Sequence, residues 1–363
     1  MKSVYGGYVR LETKETAYFA GANTAEGFRG LYGEIADERK TERVYVIKGG
    51  PGTGKSTLIR KAADAAAKEG GDAEYFLCGS DPYSLDCAVL DGRIAVLDGT
   101  APHVRDMTYP GAASELADVS KFWDSAILEE RRGEIAELCT EKNACWESAY
   151  RWLRAAAAVD AERTELAEQV FDREKAEAYI GRFIKRLGKP DSTENGRTTV
   201  RYTRGVTMRG MFYLPAFEKQ ADTLFAAADA HGCAVPFMNL LAARLTAAGF
   251  DAVVSFLPVT GHADGIFLPG KRVAVVTANP PEEHRRINMT RFVRDDIPDG
   301  FRGQMRLAAK IEDSCMEEAA ACLARAADFH FALEEIYKQA MDFPALGRYT
   351  RKLCAGIADR LKK

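Results

Sequence analysis

The feature that most constrains this chain is the run Val44-Tyr45-Val46-Ile47-Lys48, followed by Gly49-Gly50-Pro51-Gly52-Thr53-Gly54-Lys55-Ser56 and then Thr57-Leu58. A β-branched and aromatic segment feeds a glycine loop, and the loop opens a helix. That is the strand–loop–helix setting a phosphate-binding P-loop (Walker A element) requires. Glycines let backbone N–H groups turn onto phosphate oxygens where a Cβ would obstruct them. The helix beginning near Lys55 aims its positive end at the same place. The expected nucleotide-binding set is therefore Gly49, Gly50, Pro51, Gly52, Thr53, Gly54, Lys55, Ser56 and Thr57. Within it, Lys55 would reach the β- and γ-phosphates and the Ser56 hydroxyl would sit on Mg²⁺.

A second element fits the first. Arg93-Ile94-Ala95-Val96-Leu97-Asp98 reads as a buried strand ending in a carboxylate, the form of a metal-ordering Walker B element. Asp98 is thus the expected second Mg²⁺ residue and, with Lys55, part of the catalytic set. Many hydrolytic P-loop enzymes carry a Glu directly after this Asp. Here Gly99-Thr100-Ala101-Pro102-His103 follows, so the water-activating function falls to His103, Thr100, or the loop residues Asp81 and Asp86, or else hydrolysis is slow. His103 reads equally as a ligand-sensing base and as an ordinary polar loop residue. Asp81 reads more as a turn residue, and Asp86 is open between the two roles.

The 363 residues suggest two domains, and at 47% hydrophobic and 28% charged the composition is globular. No run of about 18 apolar residues occurs, so no membrane span is expected. Met1 to Arg10 lacks an apolar signal-peptide region. A net charge of −3 argues against a dedicated nucleic-acid binder. The eight cysteines have no C-x-x-C spacing and suit a reducing, cytoplasmic setting.

Along the chain, residues 1–18 read as a strand or arm, and Thr24 as the N-cap of a helix from Ala25 to about Ile35. The spacing predicts a helix from Lys55 to about Lys68 and a strand over Asp72–Cys78. It predicts continuous helix from about residue 113 to 187, with Trp146, Tyr150, Leu153 and Ala157 as the core stripe of a helical hairpin. A polar Pro- and Gly-containing segment, Lys189 to Arg197, marks a boundary between domains 1–190 and 197–363.

The second half echoes the first. Asp72 and Asp251 open matching strands 179 residues apart, Arg93 and Arg272 do so at the same spacing, and Phe329–Asp342 resembles Val159–Asp172. The chemistry is not repeated: Ala234, Val235 and Thr277 stand where Lys55, Ser56 and Asp98 would map. The second half is thus expected to fold without binding Mg-nucleotide tightly and to shape or close the first half's site.

Phe19-Ala20-Gly21-Ala22-Asn23-Thr24, the P-loop, Ser80-Asp81-Pro82 with Ser84-Leu85-Asp86, and Leu97-Asp98-Gly99-Thr100-Ala101-Pro102-His103 occur in this order. Together they resemble a duplicated bacterial P-loop ATPase-like family, poorly characterised and known mainly as ATP-binding. The resemblance implies a tandem α/β P-loop NTPase fold, three-layered with a mainly parallel sheet, each half with a helical hairpin extension. It also implies ATP and Mg²⁺ as cofactors. Some relatives carry an intact P-loop in the second half, from which this chain departs. Three functions stay open: a Mg-dependent ATP hydrolase, a small-molecule kinase with residues 113–187 as a lid, and a non-hydrolysing nucleotide-binding scaffold or regulator; whether a protein partner takes part is open as well. No Asn-Lys-x-Asp guanine signature is present.

Overall fold

The computed structural model describes residues 16–101, 104–229, 231–277 and 284–362. The expected N-terminal strand up to residue 15 lies outside them.

In the first half the order is β1 (Ala17–Phe19), β2 (Gly21–Thr24), β3 (Gly27–Gly30), α1 (Tyr32–Ile35), β4 (Arg43–Lys48), α2 (Lys55–Lys68), β5 (Ala73–Leu77), β6 (Leu85–Leu90), β7 (Ile94–Asp98), β8 (Ser114–Asp118), α3 (Ser125–Glu130), α4 (Arg132–Val170) and α5 (Arg173–Leu187). The second half repeats it as β9 (Thr198–Arg201), β10 (Arg204–Thr207), β11 (Gly210–Tyr213), α6 (Ala216–Gln220), β12 (Thr223–Ala228), α7 (Ala234–Ala247), β13 (Ala252–Phe256), β14 (Ala263–Leu268), β15 (Val273–Val276), β16 (Arg285–Asn288), α8 (Phe301–Ala340) and α9 (Phe343–Leu361). One six-stranded sheet has the order β1-β5-β6-β7-β4-β8, the other β9-β13-β14-β15-β12-β16. Strand for strand these are the same sheet. In each, one strand (β6, β14) opposes five that run together. The fold is thus α/β, mainly parallel and duplicated.

Local chemistry explains most elements. β4 is a β-branched and aromatic run buried from Arg43 to Ile47, as a central parallel strand should be. α2 buries Leu58, Ile59, Ala62, Ala63 and Ala66, one helical stripe, and its chain reverses at Gly70 with φ +83°.

Three expectations change. The helix foreseen from Ala25 is the β2–β3 hairpin, with only Tyr32–Ile35 helical. Thr24 does not cap a helix; its Oγ1 accepts from Glu26 N at 3.1 Å and donates to Gly27 O at 2.8 Å, closing the hairpin turn. The segment from 113 begins as β8, the edge strand beside β4, before the helices start. The stripe on α4 does not pack within a hairpin of its own half. Leu153 and Ala149 meet Leu323, Ala319 and Cys322 of α8, an antiparallel partner from the other half.

The exchange goes further. α5, from the first half, places Ala176, Ile180 and Phe183 in the core beneath the second sheet with Phe237, Leu241 and Phe292. α9, from the second half, places Leu346, Cys354 and Ile357 in the core of the first sheet, against α2. The crossing points mirror each other: Asp172 N donates to Phe292 O and Asp342 N to Phe122 O, both at 2.7 Å.

Candidate nucleotide site

The register Ile47↔Asp98 sets the end of β7 level with the end of β4, so the carboxylate faces the loop that follows. Gly54 caps α2 in the left-handed region at φ +83°, and no side chain caps the first turn among the described residues. The leading N–H groups of α2 are therefore left for an external acceptor. Lys55 folds back over the loop: its Nζ donates to Gly50 O at 2.6 Å and stands 3.6 Å from Asp98 Oδ2. Buried Thr53 ties the loop internally, Oγ1 donating to Gly50 O at 2.8 Å. Pro51 lies half-buried and Thr57 is exposed.

Asp98 and Ser56 are each held on one side. Asp98 Oδ1 accepts from Thr100 N at 2.8 Å, and the Thr100 hydroxyl donates to Gly49 O at 3.0 Å, stitching the β7 end to the start of the loop. Ser56 Oγ accepts from Leu85 N at 2.9 Å. A hydroxyl and a carboxylate are hard oxygen donors, and Mg²⁺ characteristically takes one or two such groups, completing its shell with phosphate oxygens and water. No cluster of three or more His, Cys, Asp or Glu residues able to hold a metal occurs among the described residues; Ser56 and Asp98 could offer such an ion one hydroxyl and one carboxylate.

The other sequence candidates separate. Asp81 accepts from Tyr83 N at 3.1 Å, the geometry of a turn residue, and burial pushes its carboxyl upward despite the nearby Arg209 guanidinium. Asp86 is buried and accepts from the Tyr32 hydroxyl at 3.0 Å. His103 lies outside the described residues.

The site also contains residues that sequence reasoning missed, all from the second half. A Cβ on Gly50 would stand 2.6 Å from the Tyr337 ring, one on Gly52 2.7 Å from the Glu334 carbonyl, and one on Gly54 3.2 Å from Leu346. Gly52 also has φ +66°. Gly50 and Gly52 are thus required by α8 lying across them as much as by any ligand, and Gly54 sits beside Leu346 of α9. At the rim, Met208 N donates to Ser80 O at 3.0 Å and the Arg209 guanidinium lies 4.5 Å from the centre of the Tyr83 ring.

The corresponding place in the second half is filled by the chain itself. Asp229 Oδ1 accepts from Ala234 N at 2.8 Å and Oδ2 from Gly232 N at 3.1 Å, so a carboxylate takes the leading N–H of α7 and one of the loop before it. There α4 lies across the loop, with Ala167 Cβ 2.9 Å from where a Gly232 Cβ would be.

No family model matches the chain, and neither a curated protein nor a solved structure matches it. The geometry therefore carries the functional reading alone. No helix among the described residues is long and apolar enough to cross a membrane.

Proposed function

We propose that this protein binds a nucleoside triphosphate, ATP, with Mg²⁺ in the first half, and hydrolyses it. One observation carries the reading: the first turn of α2 lacks an internal acceptor, while Lys55 and Asp98 converge on it 3.6 Å apart. At α7 the leading N–H, that of Ala234, is already taken by Asp229, so among the described residues the open cradle is the one in the first half. In that cradle Gly49 to Thr57 would wrap the phosphates, Lys55 would neutralise the outer two, and Ser56 and Asp98 would hold the metal. Mg²⁺ supplies charge neutralisation across the β- and γ-phosphates when bound.

Titration calorimetry with Mg-ATP should give one site per chain, and phosphate release should follow. Lys55→Ala removes charge-assisted contacts worth about 1.5–3 kcal/mol, so affinity should fall by about 10- to 150-fold. Absence of nucleotide uptake, or uptake indifferent to Lys55→Ala, would overturn the assignment. Diphosphate formed only after a small-molecule acceptor is added would convert it to a kinase.

A further inference from the structure

Asp98 is followed by Gly99, so the strand that would order the metal brings no second carboxylate to orient a nucleophile. The fold brings one from elsewhere. α8, although it belongs to the second half, crosses the P-loop at Gly52 with the main chain and Cβ of Glu334 within 3.0 Å of a Cβ placed there. The Glu334 side chain is 25% exposed and is flanked by His330 at 3.5 Å and Lys338 at 3.2 Å, one helical turn to either side. It stands near enough to Asp81 to raise that carboxyl, and Asp81 sits in the loop that leads to Leu85, the donor to Ser56. Glu334 is thus rooted at the P-loop, and its carboxylate is within electrostatic reach of the loop that leads to the donor of Ser56. Burial pushes its pKa up, but the His330 and Lys338 partners outweigh that and leave it lowered, hence ionised at neutral pH.

The comparison with α4 makes the placement informative. The two helices correspond at a spacing of 170 residues, as Asp172 and Asp342 show. His330, Glu334 and Lys338 on α8 correspond to Asp160, Thr164 and Glu168 on α4, the helix that lies across the degenerate loop. The packing role is common to both helices, but a glutamate at this position occurs only over the intact cradle. Helix packing alone does not call for it, since Thr164 fills the same place and bonds to His262 at 3.0 Å.

We infer that Glu334, delivered across the pseudo-twofold axis by α8, orients and deprotonates the attacking water in the hydrolysis proposed above, and the inference rests on that reading. In the step, the water oxygen bonds to the γ-phosphorus while the bond from that phosphorus to the β–γ bridging oxygen breaks, its electron pair leaving on the nucleoside diphosphate. One water proton stays on the inorganic phosphate; the other passes to a Glu334 carboxylate oxygen and on to solvent. Each half thus contributes to one reaction: the first binds, and the second supplies the base.

The test is steady-state ATP hydrolysis by the full chain and by Glu334→Gln and Glu334→Asp, with Mg-ATP affinity and Tm measured on each. Glu334→Gln keeps the side-chain shape and the main-chain contact to Gly52. Loss of general-base catalysis should lower kcat by about 100-fold or more with Kd and Tm near the wild-type values, and Glu334→Asp should restore part of it. A purely structural ion-pair role would instead lower Tm or weaken binding and leave kcat within about threefold of wild type, and that result would overturn the inference. Wild-type protein that binds Mg-ATP without turnover would overturn the hydrolase reading itself, a distinct outcome because the variants are then judged against zero.

Discussion

The amide of Phe19 donates to the carbonyl of Tyr202 at 2.9 Å, and the two residues occupy the same position in the two halves, 183 apart. The pseudo-twofold axis passes close to this bond, which joins β1 of one sheet to the end of β9 of the other. Beside it the symmetry breaks. Asn23 Nδ2 donates to Val206 O at 2.9 Å and to Gly79 O at 3.3 Å, while Val206, its own counterpart, has no polar side chain. Asn23 is fully buried, so Asn23→Ala would leave two carbonyls without that donor and cost about 2 kcal/mol or more. Urea unfolding should show a lower midpoint with an unchanged m-value.

The exchange of α5 and α9 makes each half dependent on the other. A fragment of residues 1–190 would expose the Ile180 and Phe183 face of α5 and lack the Leu346, Cys354 and Ile357 face that α9 lays on α2. Expressed alone, it should be unfolded or should pair with a second copy that returns the missing helix. Coexpression with residues 191–363 should restore a 1:1 complex. A cooperatively folded monomeric fragment, seen by light scattering and thermal melting, would contradict the packing described above.

Gly52 combines a left-handed backbone with a close approach of the α8 main chain. Gly52→Ala should therefore cost about 2 kcal/mol or more, whereas Gly70→Ala, with a similar φ but open space around it, should cost only the backbone share of about 1 kcal/mol. Differential scanning calorimetry on the two variants separates the helix contact from the dihedral.

Glu38 anchors the segment after β7. Its carboxylate accepts from Thr108 N, Tyr109 N and the Ser114 hydroxyl and pairs with Arg105 at 3.5 Å. Burial pushes its pKa up, but these donors outweigh it and leave the folded value below the ordinary one. The sign follows: an unfolded glutamate takes up its proton at about pH 4.3, the folded one only at lower pH. Its contribution is full above the unfolded value and is lost as pH falls through the folded value. Glu38→Gln should lower stability at pH 7 by about 2 kcal/mol and flatten the acid limb of the stability profile in that window.

The sequence was legible where chemistry is local. The strand into Lys48, the helix from Lys55 to Lys68 and the strand ending at Asp98 each carry their own periodicity, and the 179-residue echo exposed the duplication. β6 was hidden because Leu85–Leu90 is short and follows a loop rich in turn residues, and β8 because Ser-Glu-Leu-Ala-Asp blends into the helical composition after it. Thr24 misled because a hydroxyl two residues before a free N–H serves a hairpin turn as well as a helix cap. Glu334, Tyr337 and Leu346 reach the P-loop from about 280 residues downstream in the chain, a distance over which no local pattern signals contact. The only trace was the mismatch of Glu334 with Thr164 at equivalent helix positions.

The placement of α9 has a consequence for biosynthesis. The residues that close the outer face of the helix beginning at Lys55, Leu346 to Ile357, are translated about 290 residues after it. The glycine loop therefore waits for almost 300 further residues before its support is complete. A nascent chain halted anywhere upstream carries the motif without the architecture that makes it a cradle.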